Sequence, residues 1–296
     1  AKAKYELENG VALITLADRP LAAATGTGLA GVDFSSMPVF PFLPPVPLPP
    51  VYSYAMVAKR HMHEFGTTPE QLAWVKVAAS HHAQHNEHAL LRKVVTVEEV
   101  LASPMVADPL HRLDCCVMTD GGGAIVVARE EIARSLKRPR VRVAGCAEAL
   151  KHPNGGWYGI VSSAGVQSGK TAFQQAGISA TDIKYASLYD SFTITVIVQL
   201  EDLGFCEKGQ GGKFVADGNL ISGVGRLPFN TDGGGLCSNH PGNKGGMTKL
   251  LEAIRQCRGE AHPAVQVKNH DWVLAHGTGG AIAGHHVGGT AILAAE

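Results

Sequence analysis

Short apolar runs alternate with amphipathic windows through the second half of the chain, and this alternation constrains the fold more than any other feature. "RPRVRVAGCAEA" carries a strand over 140–147, "GISATDIKYASLYDSF" runs into a strand ending near Tyr189, and "DWVLAHGTGG" (271–280) reads as a strand and then a glycine turn; "TITVIVQLEDLGF" (193–205) and "MTKLLEAIRQCRG" (247–259) carry helical spacing. A chain that switches repeatedly between the two periods predicts an α/β sheet with helices layered on its faces. A helix is expected near 164–177, and "HHVGGTAILAAE" (285–296) closes the chain as a strand. "HPNGGWYG" (152–159) reads as a loop that offers Trp157 as a wall to a ligand path, or as an ordinary connection.

The first half is less regular. "VALITLA" (11–17) reads as a buried strand, and "PVFPFLPPVPLPPVY" (38–52) carries seven prolines, which forbid helix and central strand and predict an extended surface segment or linker. "YSYAMVAKRHMHEFG" (52–66) has helical spacing stopped by Gly66. The next helix starts with a Thr cap at Thr68 and Pro69 in its first turn, and Thr96 with Glu99 forms a capping box. "DCCVMTDGGGAIVVARE" (114–130) reads as strand, glycine turn and strand; 207–235 reads as a polar glycine-rich connection.

Composition removes several function classes. Lys+Arg and Asp+Glu balance at 26 each, so the chain lacks the basic excess of a nucleic-acid surface. No apolar run reaches the ~18 residues of a membrane span, and residues 1–20 do not resemble a signal peptide. Six cysteines without a CxxC pair argue against thiolate-held zinc and for reduced thiols in a cytoplasmic protein. His61, His63, His81, His82, His85, His88, His285 and His286 form no H-E-x-x-H motif; they are expected at the surface or an interface, with no metal bound.

Two glycine motifs are decoys. "GTGLAG" (26–31) fits G-x-G-x-x-G, but it runs into Asp33, Phe34 and the prolines rather than the helix that must hold a pyrophosphate. "GVQSGKT" (165–171) lacks the first glycine of a phosphate loop, Ala164 standing there, and Lys170 and Thr171 fit the solvent side of a helix.

Three stretches carry the chemistry. "SLYDSF" places Tyr189 and Asp190 at a strand end, "GGGLCSNHPGNKGG" places His240 before a helix, and "LAHGTGG" places His276 at a strand end before a glycine turn. Strand ends and helix starts converge at the ligand crevice of an open α/β sheet, so Tyr189, His240 and His276 are the candidate catalytic residues. Asp190, Phe192, Asn239, Gly242, Gly277 and Gly279, on the same stretches, are the candidate substrate-binding positions. Each catalytic candidate also has a purely structural reading: Tyr189 as a sheet-edge anchor, His240 as a helix cap, His276 as a satisfied core histidine. A helix N-terminus disfavours imidazolium, which predicts a neutral His240 able to act as base or donor. Cys237, three residues before His240, is a nucleophile only outside any familiar plan.

From about residue 52 onward the chain resembles the thiolase superfamily, in its lipid-transfer-protein-like branch often labelled acetyl-CoA acetyltransferase. The specific pieces are "RHMHEFGTTPEQLA", "SPMVADPLHRLDCC", "TDGGGAIVV", "LYDSFTITVIVQLEDLGFC", "LPFNTDGGGLCSNHPG" and "HGTGG". The resemblance implies an α/β, thiolase-like layered fold of two related halves around buried helices, here divided as 1–136 and 137–296. It implies a homodimer, no permanently bound cofactor, and a coenzyme A thioester as substrate. It implies that His240 activates a thiol, that Tyr189 stands where relatives place an oxyanion-hole asparagine, and that His276 stands where they place an acid–base cysteine. The family's opening helix with its acyl-accepting cysteine has no counterpart before "VALITLA", so the first half is expected to be incomplete. Two chemistries on acyl-CoA follow, thiolysis or Claisen condensation with a thiol, and retro-aldol cleavage without one. Some lipid-transfer-like relatives act on steroid side chains in the second way, with a tyrosine near this position and a small OB-fold partner subunit. The alternative is a non-catalytic acyl-CoA or lipid binder, or a scaffold subunit.

Overall fold

The computed structural model describes residues 10–23, 50–151, 159–242, 245–279 and 287–296. The proline segment up to residue 49, the "GTGLAG" motif, Trp157, His285 and His286 lie outside the described residues. After β1 (Val11–Asp18) and a single helical turn at Pro20–Ala23, the main elements in chain order are α1 (Pro50–Phe65), α2 (Pro69–Ala83), α3 (Val97–Leu101), β2 (Met105–Ala107), β3 (Leu110–His111), β4 (Gly121–Ala128) and α4 (Glu130–Arg134). The second half continues with β5 (Val141–Leu150), α5 (Gly165–Ala176), β6 (Tyr185–Leu188), α6 (Thr193–Asp202), α7 (Gly211–Val215), α8 (Gly246–Arg258), β7 (Trp272–Gly279) and β8 (Val287–Ala295).

The helix boundaries follow local chemistry. Thr68 accepts from the Gln71 amide at 3.3 Å while the Gln71 side chain accepts from the Thr68 amide at 3.1 Å, a reciprocal cap with Pro69 in the first turn. Thr96 and Glu99 cap α3 in the same way. Gly177 and Gly259, at φ +70° and +68°, end α5 and α8 in the left-handed conformation that glycine adopts without penalty. The proline run does not wholly exclude helix: Pro50, its last member, opens α1, where a missing N–H costs nothing.

Strands β5, β8, β7 and β6 form one sheet in that order, antiparallel except for the parallel β7–β6 pair. Helix α5 packs on β5 and β8; α8 packs on β7, β6 and β8 and also reaches β4, so it is shared with the β1–β4 ribbon. Helix α6 is buried from Thr193 through Glu201, and α2 is buried along most of its length. Such all-round burial marks central helices. Ile197→Ala in α6 is therefore a core deletion of the class that costs about 2–5 kcal/mol.

Several local expectations are corrected. "VALITLA" is a strand but not a buried one: Leu13 is 66% and Val126, on its partner β4, 64% exposed. Among the described residues β1 pairs only with β4, which leaves much of the ribbon uncovered. Gly121–Gly123 are not a turn but part of β4. A Cβ at Gly122 would lie 2.6 Å from that of Ala17, and one at Gly123 2.6 Å from Leu251 Cδ1, so these glycines allow close approach instead of reversal. The 207–235 connection contains α7 and is largely buried. Lys170 and Thr171 do face solvent on α5.

His61 and His82 are core residues, not surface ones. His61 bridges Thr67 at 2.8 Å and Glu201 at 3.0 Å, tying α1 to α6. The His82 Nε2 accepts from the Ser222 amide at 2.9 Å, which fixes a neutral ring. Burial, with neighbouring His81 next, pushes His82 down to about 3, and burial pushes His276 down to about 4. The sign follows from linkage. Both rings are neutral in either state well above pH 6.5; below it the unfolded chain takes up protons that the fold refuses, until the folded pKa is reached. Stability is expected to fall by about 1.4 kcal/mol per pH unit for each ring between pH ~6 and ~4. Thermal unfolding of wild type and His82→Gln across that range checks this: the variant's slope should be shallower by one proton.

Candidate active site

Strand β6 delivers Tyr189. Its register places Leu188 opposite His276, and the Tyr189 amide donates to the His276 carbonyl at 3.0 Å, which pins the strand end. The Tyr189 ring lies against Gly245, where a Cβ would come within 2.8 Å of Cε2, and its hydroxyl donates to the Gly242 carbonyl at 3.2 Å. The His240 ring stands 5.2 Å from it, centroid to centroid, at 52°. Two of the three catalytic candidates thus form one site.

His240 arrives by a different route. Gly234–Ser238 forms a π-helical turn entered through left-handed Gly233 and Gly234 (φ +94° and +60°), and His240 follows two residues later. The His240 amide donates to Thr119 Oγ1 at 3.0 Å, the Val117 amide to the Gly235 carbonyl at 2.9 Å, and the Cys116 amide to the Ser191 carbonyl at 2.9 Å. The 116–119 segment therefore laces the two candidate loops together.

The expected neutral imidazole is present, for a different first reason. Burial lowers the His240 pKa, and the Lys249 ammonium adds to this, while Asp190 opposes it. The helix end is not the source, because α8 begins only at Gly246. His240 Nε2 is buried and has no hydrogen-bond partner among the described residues, so it is a base without a committed proton. Burial pushes the Tyr189 phenol well above its ordinary value, with Cys116, Tyr54 and Asp190 adding to the shift. Tyr189 is thus a neutral donor near neutral pH.

His276 is placed elsewhere. β7 continues through Gly277 and Gly279, so His276 lies inside a strand and not before a turn. Its Nδ1 meets Thr290 Oγ1 at 2.8 Å, Thr290 meets Ser168 of α5 at 2.8 Å, and its Nε2 lies 3.4 Å from where a Gly165 Cβ would stand. Strand alternation gives the reason: His276 shares the α5 face with Leu188 and Thr290, whereas Tyr189 is one residue further and turns toward α8.

The substrate-binding candidates divide. Gly242 supplies the carbonyl that receives the Tyr189 hydroxyl. Asn239 adjoins the site with its Oδ1 buried and unpartnered among the described residues. Phe192 instead packs on Tyr54, centroids 4.4 Å apart, at the start of α6. The Asp190 carboxylate is turned inward and engaged by Gly235, Leu236 and Lys249. Gly277 and Gly279 have nothing within 4 Å of a built Cβ, and Gly277 borders a cavity of about 540 Å³ that His276, Thr290, Gly246 and Lys249 also line, beside the Tyr189–His240 pair rather than around it.

The thiols near the site are not activated. Cys237 is buried in the core with its pKa raised by burial, which removes it as a nucleophile. Cys116 is pushed up to about 12, by burial first and Asp190 next. The sequence alone does not single out Lys249, which resembles any polar residue of an amphipathic helix, nor Cys116 and Thr119, which lie in family-like stretches without a chemical signature of their own. Among the described residues no group of three or more His, Cys, Asp or Glu could hold a metal ion, and no helix is long and apolar enough to cross a membrane.

Comparison with known proteins places this geometry in context. Residues 157–294 match the family model "Thiolase C-terminal domain-like". The chain is 38% identical over 239 residues to an acetyl-CoA acetyltransferase of Methanothermobacter thermautotrophicus, covering 78% of this chain and 61% of that protein. It is 40% identical over 219 residues to a steroid side-chain-cleaving aldolase of Thermomonospora curvata, covering 71% of this chain and 54% of that one. A solved Ltp2-ChsH2(DUF35) aldolase superposes with a TM-score of 0.82 at 33% identity, over 97% of this chain and 72% of that chain. The chain thus spans less than two thirds of the length of either curated relative.

Proposed function

From a chain that belongs to the thiolase superfamily, in its lipid-transfer-protein-like branch, we propose an enzyme that breaks or makes a carbon–carbon bond in an acyl-CoA thioester, retro-aldol cleavage of a β-hydroxyacyl-CoA being the reading the site supports best. The observation that carries it is the Tyr189–His240 pair: a neutral imidazole, with a buried nitrogen that has no partner among the described residues, 5.2 Å, centroid to centroid, from a neutral phenol. In that reaction His240 takes the β-hydroxyl proton, the Cα–Cβ bond breaks to leave a ketone or aldehyde, and the electron pair passes to the thioester as an enolate. Tyr189 turns its hydroxyl hydrogen from the Gly242 carbonyl to the developing oxyanion, and the proton held by His240 passes to Cα of the enolate, giving the shorter acyl-CoA and a neutral imidazole again. Asn239, Gly242, Gly277 and Gly279 line the substrate's approach; no permanently bound cofactor is needed. Asp190 and Phe192 support the site from behind, and His276, hydrogen-bonded to Thr290, borders the cavity that Gly277 also lines.

Thiolysis is the second reading, favoured by the likeness to acetyl-CoA acetyltransferase; His240 would then activate a thiol that the described cysteines do not provide. We further propose the two-part organisation 1–136 and 137–296, a cytoplasmic location, a homodimer, and a small OB-fold partner subunit. The Ltp2-ChsH2(DUF35) pairing and the uncovered apolar side chains of the β1–β4 ribbon support assembly with other chains.

Free coenzyme A separates the readings. 3-Hydroxy-3-methylbutyryl-CoA should yield acetone and acetyl-CoA without added coenzyme A if cleavage is retro-aldol; acetoacetyl-CoA should yield acetyl-CoA only with it if the enzyme is a thiolase. Tight acyl-CoA binding with neither product would replace both readings with the non-catalytic one.

A further inference from the structure

We infer that Asp190 and Lys249 are a positioning pair, a buried ion pair that fixes the Tyr189 phenol against the His240 imidazole. This rests on those two rings being the reacting pair.

The connectivity singles out one carboxylate. Asp190 follows Tyr189 directly. Its Oδ1 accepts from the Gly235 amide at 2.8 Å and its Oδ2 from the Leu236 amide at 3.1 Å, both within the π-helical turn that leads to His240. The Lys249 ammonium, on α8, completes it at 3.0 Å with both side chains almost fully buried. The loop after β6, the loop before His240 and the first turn of α8 therefore meet at a single group.

The spacing is tight enough to transmit position. A Cβ at Gly234 would fall 2.1 Å from Asp190 Oδ2. A Cβ at Gly235 would fall 3.1 Å from both Asp190 Oδ1 and His240 Cδ2, so only backbone separates the carboxylate from the imidazole. Displacing Asp190 must displace both rings. Gly245, one turn before Lys249, bears on the Tyr189 ring from the other side.

Energetics favour a geometric role. Replacing a buried ion pair with apolar or neutral groups of similar volume is often neutral for stability, whereas breaking it by removing one partner is not. A pair kept only for folding has no need of charge here. The pair is also not isolated: Asp232 and Glu252 face Lys249, and Cys116 and Tyr189 face Asp190. The two residues are 59 positions apart, and Lys249 looks like any solvent-facing residue of an amphipathic helix until the fold brings Asp190 to it.

The test uses the neutral pair Asp190→Asn/Lys249→Met, with each single variant to show that folding depends on charge balance. Three quantities are read: thermal midpoint, kcat and KM on 3-hydroxy-3-methylbutyryl-CoA, and the nuclear Overhauser contact between the Tyr189 and His240 ring protons. A positioning role predicts a double variant with a near-wild-type midpoint, a KM changed by less than about threefold, a kcat lowered about 100-fold and a lost ring contact. A double variant that keeps the ring contact, or keeps kcat within about threefold, overturns the inference. If wild type shows no turnover at all, the functional reading fails, and the ring contact alone still decides whether the pair positions the two side chains.

Discussion

Tyr189→Phe and His240→Gln are each expected to lower kcat/KM by about 10²- to 10⁴-fold, the span that general acid–base catalysis usually contributes. The structural cost of these changes is small, which makes them clean. Tyr189→Phe removes one hydrogen bond, to the Gly242 carbonyl, worth about 1 kcal/mol. His240→Gln removes a ring nitrogen that has no partner among the described residues. Thermal midpoints should therefore stay within a few degrees while turnover collapses. The double variant should be barely worse than the poorer single one, because groups that act as a unit do not add. A Tyr189→Phe enzyme with wild-type turnover would remove the phenol from the reaction and leave His240 without a partner acid. His276→Gln tests the same geometry from outside. Its Nδ1 is committed to Thr290 and its ring faces α5, so the change should destabilise the fold more than it alters kcat.

What the sequence reveals depends on how far each determinant reaches along the chain. Caps and stops are local, and Thr68, Thr96, Gly66, Gly177 and Gly259 sit where their chemistry puts them. The strand–helix alternation of the second half is equally local, and it yields the sheet with α5 and α8 on opposite faces. Tyr189 and His240 are found because each lies at an element boundary, Tyr189 at the end of a strand and His240 in a glycine-rich stretch before a helix. The face on which a side chain lands is not local. His276 and Tyr189 sit on neighbouring paired strands, and a one-residue difference in register sends them to opposite layers. Glycine carries the same ambiguity: Gly121–Gly123 resemble a turn, but Leu16, Ala17 and Leu251 crowd them, and only the assembled fold shows which use applies. Buried charge is the hardest to read. Lys249 looks like a solvent residue on a helix until Asp190 is brought to it.

Gly234→Ala is the second change with a large expected effect, and its cost divides into two parts that can be measured separately. Gly234 has φ +60°, so any side chain carries the left-handed penalty of about 1–2 kcal/mol. Its new methyl would also stand 2.1 Å from Asp190 Oδ2 and 2.7 Å from Asn230 Nδ2, both buried, and overpacking adds about 1–3 kcal/mol. Gly177 isolates the first part: its φ is +70° and nothing lies within 4 Å of a built Cβ. Chemical denaturation should therefore show Gly234→Ala costing clearly more than Gly177→Ala, with the excess reporting the collision with Asp190. The collision also has a functional direction. Asp190 can relieve it only by moving away from the turn, which loosens the Gly235 and Leu236 amide bonds and shifts His240 relative to Tyr189. Turnover in the folded fraction should fall with Gly234→Ala and stay at the wild-type level with Gly177→Ala. Equal losses of stability in the two variants would mean that the carboxylate yields freely and that the site is not held from behind.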